Sequence, residues 1–234
     1  MASEPAPVAG GFGPGGGVAA LLLLADGRFP AGGHAHSGGA EAAVRAGRVR
    51  DAESMAAFLL GRLHTVGLTS AALAAAAALE PERVDAWDEA AEARTPSPAQ
   101  RAASRKLGRQ LLRAARAAWP HPVLDGLRER HPGGVHQPVV LGATAHAAGL
   151  GPREAAAVAV YESVNGPATA CVRLLGLDPY QVTAHLARLA PDLDAVAAAA
   201  VTAAGRGELP AASAPLLDVY AERHSSWKVR LFAS

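Results

Sequence analysis

Ser37 stands between His36 and the glycine pair Gly38-Gly39, and His34 lies just upstream, so one short stretch gathers a nucleophile and two imidazoles. The whole stretch, Phe29-Pro-Ala-Gly-Gly-His-Ala-His-Ser-Gly-Gly-Ala-Glu41, also holds Pro30, Gly32 and Gly33. Ala35-His36-Ser37-Gly38-Gly39 approaches the G-x-S-x-G elbow of serine hydrolases, with alanine at the first glycine. That chemistry needs a strand before the serine and a helix after it, within an α/β sheet. Upstream there is only the apolar run Val18 to Ala25, and nothing later alternates strand with helix. A hydrolase using Ser37 with His34 or His224 is therefore the minor reading. A metal site is the second. His34 and His36 are two apart in a flexible loop, which would have to bring them together on one ion. No HExxH occurs, and the nine histidines are scattered without a tract. A histidine-based nickel-binding protein stands as an alternative, and ordinary loop histidines are the plainer account. Glycine pairs of this kind suit a backbone that must take positive φ or be approached closely, as in a binding loop.

The elements that would position this loop are helical almost throughout. The chain has 234 residues, 50 % hydrophobic but only 4 % aromatic, so alanine must fill the core through close helix contacts. Met55, Phe58, Leu59, Leu63 and Val66 recur at helical spacing behind Asp51, a cap residue, and that helix can run past Gly67 into the Ala71 to Leu79 block. Thr95 to Gln100 marks the clearest break. Ser97 as N-cap, Pro98 at N1 and Gln100 at N3 make a capping-box pattern for a helix to about Trp119. Pro152 opens the longest apolar helix. The expectation is an all-α single-domain bundle of about eight to ten helices over residues 18–226, behind a disordered Gly/Pro-rich segment 1–17. Val18 to Ala25 should be a short buried helix.

Charge sets limits on function. Lys+Arg 22 against Asp+Glu 21 leaves a net charge of +1, which argues against nucleic acid as a partner. Gly11-Phe-Gly13-Pro-Gly-Gly16 fits G-x-G-x-x-G formally but follows no strand, and no Walker Gly-Lys-Ser/Thr exists, so the chain should not bind a nucleotide by itself. A lone cysteine, Cys171, fits a reducing compartment. The Val18 to Ala25 run is too short to span a membrane and lacks the basic flank of a secretory signal. A cytoplasmic protein is expected. Arg101, Arg105, Arg109, Arg113 and Arg116 form a basic stripe on one helix, a solvated face or a surface for an acidic protein. Glu162, Asn165, Thr169 and Arg173 share a face of the long helix, with Pro167 between them expected to kink it. The end of the chain, residues 227–234, alternates Trp227, Val229 and Leu231 with Lys228 and Arg230 before Phe232. Apolar residues at a loose terminus are a liability, so this tail should dock on something.

Pro30, Gly32-Gly33, Ser37, Gly39 and Glu41 fall where the urease accessory protein F family carries Pro-Val-Gly-Gly-Phe-Ser-Tyr-Ser-Gln-Gly-Leu-Glu. His34, His36 and Gly38 replace its Phe, Tyr and Gln. Arg223-His224 and Arg230-Leu231-Phe232-Ala233-Ser234 resemble the family's Arg-His-Glu and Arg-Leu-Phe-x-Ser ending. Asn165 falls on its Glu-Asn-Gln helix and Arg173 on its Val-Lys-Leu, while Gly166-Pro167 departs from the pattern. The resemblance implies an all-α homodimer with no catalytic residue, cofactor or resident metal. It implies binding to urease accessory protein D (H in some organisms) and, through it, to the nickel-carrying GTPase, urease accessory protein G, for nickel insertion into apo-urease. It further implies that Pro30, Gly32, Gly33, His36, Ser37, Glu41, Asn165, Arg173, Arg230, Leu231 and Phe232 meet partners, with the tail docking beside the glycine loop when a partner binds.

Overall fold

A computed structural model describes residues 17–233, so most of the segment expected to be disordered lies outside the described residues. Among those described there is no strand. Twelve α-helical segments follow one another: α1 Val18–Ala25, α2 Ala40–Arg45, α3 Ala52–Arg62, α4 Leu68–Leu79, α5 Val84–Ala93, α6 Pro98–Ala118, α7 Pro122–Arg130, α8 Gln137–Ala147, α9 Pro152–Leu175, α10 Pro179–Arg188, α11 Ala190–Arg206 and α12 Pro215–Ser225. The all-α expectation holds. The count exceeds eight to ten because α5 is a helix of its own and a π-helical turn divides α3 from α4.

α3 and α4 form one rod of 28 residues, Ala52–Leu79, joined by a π-helical turn at Leu63–Gly67. Asp51 starts it with a full capping box: its carboxylate accepts from the Ser54 N–H at 2.8 Å, and the Ser54 hydroxyl accepts from the Asp51 N–H at 3.1 Å. The rod is apolar and long enough to cross a membrane by length and composition. Its α4 half is instead the core helix of the bundle, buried at Thr69 and from Ala71 to Ala78 and packed on α8, α9 and α11. Alanine makes this possible, because small side chains let backbones approach. Gly142 on α8 takes this furthest: a Cβ there would collide with the Ala74 carbonyl.

Two local expectations need correction. α1 is not buried: only Leu24 is covered, while Val18, Leu22 and Leu23 are 55 %, 64 % and 50 % exposed. Eight residues give two turns, and α1 has only a single neighbouring helix of note, α9. At α6 half of the capping box forms. Ser97 Oγ accepts from the Gln100 N–H at 3.1 Å, and the serine hydroxyl is drawn to the Glu222 carboxylate of α12.

The basic stripe on α6 is mostly neither solvated nor offered outward. Arg105 reaches Asp88 at 3.0 Å, Glu92 at 2.9 Å and the Gly134 carbonyl at 2.7 Å; Arg101 pairs with Glu92 at 2.8 Å. Arg116 donates to Asp125 at 2.7 Å. These pairs lash α5 and α7 to α6, and Arg113 is left on the exposed surface.

Candidate functional site: a glycine loop, a half-buried arginine and the chain end

The glycine loop runs from the end of α1 into α2. Gly32 sits at φ 80°, in the left-handed region, ahead of a 3-10 turn at Gly33–Ala35, and Gly39 at φ 91° is the N-cap of α2. A Cβ on Gly32 would strike the Gln110 side chain of α6, whereas one on Gly33 would meet nothing within 4 Å. Pro30 and His34 are exposed. His36 is buried, and burial first, then Lys106 and His34, push its imidazole down to about 4, so it is neutral at physiological pH.

Ser37 is fully buried, and its Oγ accepts from the Glu41 N–H at 3.3 Å. With no strand before it among the described residues and a buried hydroxyl turned to the start of α2, it lacks the exposed elbow a serine hydrolase requires. No group of three or more His, Cys, Asp or Glu placed to hold a metal occurs among the described residues.

Glu41 joins the loop to the chain end. Its Oε2 lies 2.8 Å from His224 Nε2 on α12 and accepts the Phe232 N–H at 3.0 Å, while Oε1 accepts the Leu231 N–H at 2.8 Å. The Ala233 N–H donates to the Ala35 carbonyl at 2.7 Å. Burial by itself would raise the Glu41 carboxyl, but the hydrogen bonds from His224, Leu231 and Phe232 prevail and hold it below the usual carboxylate range. Phe232 is buried beneath these bonds, with the Arg173 guanidinium 5.7 Å from its ring centre. Trp227 packs against His224 at 4.8 Å, with Arg45 over its ring at 4.1 Å. The tail thus rests on its own body in the single chain. Leu231 stays 73 % exposed and Val229 83 %. Arg230 is exposed as well, its Nη1 donating to the Ser225 carbonyl at 3.4 Å.

Behind loop and tail lies a cavity of about 690 Å³. The α9 stripe of Glu162, Asn165, Thr169 and Arg173 lines it, together with Gly33, His36, Arg230 and Phe232. The cavity therefore collects residues from the loop, the long helix and the tail. Glu162 accepts from Gln137 Nε2 at 2.9 Å, and burial pushes its carboxyl up to about 7 despite that bond.

Arg62, a residue not singled out above, ties these parts together. Pro167 has no N–H to donate to the Ser163 carbonyl four residues back. Arg62 Nε fills that vacancy at 2.8 Å, and its Nη1 donates to the Gly38 carbonyl at 2.7 Å. α9 accordingly continues as a helix through Pro167 to Leu175. The Pro167 ring also explains Gly38, because a Cβ at 38 would come within 2.9 Å of its Cγ. Two departures from the resembled pattern, glycine at 38 and Gly166-Pro167, are thus one packing solution. The available signal was a basic residue inside an apolar helical run, but the sequence could not say which carbonyl needed it.

Known proteins match along the same chain. A family model described as UreF matches residues 49–190, the helices from α3 to α10. A protein of Mycobacterium sp. (strain JLS) named urease accessory protein UreF is 48 % identical over 215 residues, covering 92 % of this chain and 97 % of its own. Proteins of the same name from Mycolicibacterium vanbaalenii and Mycobacterium tuberculosis (strain ATCC 25618 / H37Rv) are 45 % and 42 % identical, each covering 93 % of this chain and 99 % of its own. With likeness at that level over nearly the full length, and a helical body matched by the family model, the chain belongs to the UreF family.

Proposed function

We propose that this protein is a non-catalytic urease maturation scaffold that works in the cytoplasm as a homodimer. It bridges an accessory protein of the D (H) type and the nickel-carrying GTPase of the G type, so that nickel is inserted into apo-urease. The observation that carries this reading is the union of the glycine loop with the chain end through Glu41. It presents Arg230 and Leu231 outward on a fixed main chain, and Pro30 and His34 of the loop are exposed as well. Such a surface has the makings of an interface: apolar and cationic side chains on a preordered frame, with little entropy left to lose on binding. Nothing in the reading requires a nucleotide, a resident metal or a catalytic residue of this chain. Partner binding would then reinforce the seating of the tail.

Deletion of Arg230 to Ser234 tests it. The truncated chain should remain a folded helical dimer and fail to recruit the GTPase. Arg230→Ala alone should weaken recruitment while sparing the D-type partner. Size-exclusion chromatography of the three-protein mixture reports both steps, and a truncated chain that still co-elutes with the GTPase overturns the proposal.

A further inference from the structure

Arg62 carries a charge that no acid among the described residues balances. No carboxylate lies within 4 Å of it among the described residues, and burial lowers its guanidinium to about 10. Arg94, close by in the same cavity wall, also lacks an acid, but each of its three nitrogens donates to a main-chain carbonyl, of Pro210, Ala90 and Leu209. Arg62 is different. Nε and Nη1 are committed to Ser163 and Gly38, and Nη2 donates to nothing among the described residues. The guanidinium packs against Gly38, where a Cβ would come within 3.1 Å of Nη2, and Arg62 lines the cavity. A guanidinium offers five N–H donors in a planar fork matched to an oxyanion. Arg62 is half-buried, and its unpartnered Nη2 is open to the cavity, where an oxyanion can reach it.

We propose that the Nη2 edge of Arg62, at the cavity wall beside Gly38, is a binding site for a carboxylate. Lys106 and Arg173 also line this cavity; so does Glu162, whose carboxyl burial raises to about 7, along with Asp26 and Asp218. The bound group would hydrogen-bond to Nη2 and to the second Nη1 hydrogen, while the two existing bonds keep the fork in place. The site does not depend on the scaffold reading. It requires only the folded chain. The carboxylate has two possible sources, a small free acid or an acidic side chain of a protein.

Thermal unfolding of the full chain at pH 7 and constant ionic strength tests the site, with sodium chloride replaced stepwise by sodium acetate or sodium succinate, or supplemented with an N-acetylated triglutamate peptide. A saturable rise in Tm of about 3–6 °C is expected when the carboxylate stands at roughly ten times its Kd. Arg62→Gln, which keeps an amide donor for one carbonyl, should lose the rise, and Arg62→Lys should retain part of it. If either variant fails to fold, amide chemical shifts of Gly38 and Ser163 in the unmodified chain supply the readout, moving saturably with acetate and not with chloride. A response to acetate or succinate assigns a free acid, and a response to the peptide alone assigns a protein side chain. Equal behaviour in chloride and in all three carboxylates, or a rise of the same size in Arg62→Gln, overturns the proposal.

Discussion

Glu41 and His224 are separated by 183 positions in the chain, yet Oε2 of one lies 2.8 Å from Nε2 of the other. The same carboxylate receives the main-chain N–H groups of Leu231 and Phe232, so one side chain of α2 fixes both α12 and the tail. Glu41→Gln keeps the shape, removes the charge and places an amide donor where an acceptor was needed. Amide exchange at Leu231 and Phe232 should accelerate about tenfold or more, as expected for loss of charge-assisted bonds, while α4 amides keep their protection. Unchanged exchange at the tail would show that packing of Phe232 alone seats it.

Acid should release the tail. The Glu41 carboxyl is held below its ordinary value, so its contribution is complete above pH 4.5 and is lost as pH falls through the lowered folded value. Trp227 emission, followed from pH 6 to pH 3, should change in the unmodified chain at a pH below that of a free carboxylate. In Glu41→Gln that step should be absent.

Glu162 acts in the opposite sense. Its carboxyl is raised from 4.5 to about 7 by burial, so the unfolded chain loses this proton first as pH rises, and stability falls between those two values. The penalty is complete above the folded value and amounts to about 3 kcal/mol at 1.36 kcal/mol per unit. Glu162→Gln should therefore be more stable than the unmodified chain at pH 8, with the difference vanishing below pH 5. Urea unfolding at the two pH values measures it. An equal difference at both would mean that the carboxyl is not shifted.

The adjacent glycines of the loop should separate. Gly32→Ala meets both the positive φ and the Gln110 side chain, and should lower stability by about 1–3 kcal/mol. Gly33→Ala enters open space and should stay within about 0.5 kcal/mol. Gly33→Val should then impair partner assembly more than stability. A large loss of thermal stability with normal assembly would make Gly33 structural.

Arg105 and Arg113, both on α6, should also part company. Removing Arg105 takes one donor each from Asp88, Glu92 and the Gly134 carbonyl, and Arg105→Ala should cost about 2–3 kcal/mol. Arg113 lies on the exposed surface, and its alanine variant should fall within about 0.5 kcal/mol in denaturant unfolding.

Local rules made much of the helix plan legible before any coordinates. Asp51 and Ser97 act as caps, Pro98 and Pro152 open helices, and the Met55, Leu59 and Leu63 spacing marks the buried face of the rod, because each of these effects is decided within a few residues. The glycine loop and the apolar tail also stood out, through conformational freedom at one and misplaced hydrophobicity at the other. What the residues could not state was who meets whom. Glu41 reads as an ordinary first-turn acid until α12 and the tail arrive beside it, and Arg101, Arg105 and Arg116 read as a basic face until α5 and α7 bring their acids. Arg62 was silent for the same reason. Its task is set by a hydrogen bond that Pro167 cannot make, 101 positions away from the carbonyl-seeking guanidinium to Ser163. A side chain's charge and reach are local properties, but the partner that satisfies it is chosen by the packing of helices distant in sequence, and only the tertiary structure decides that.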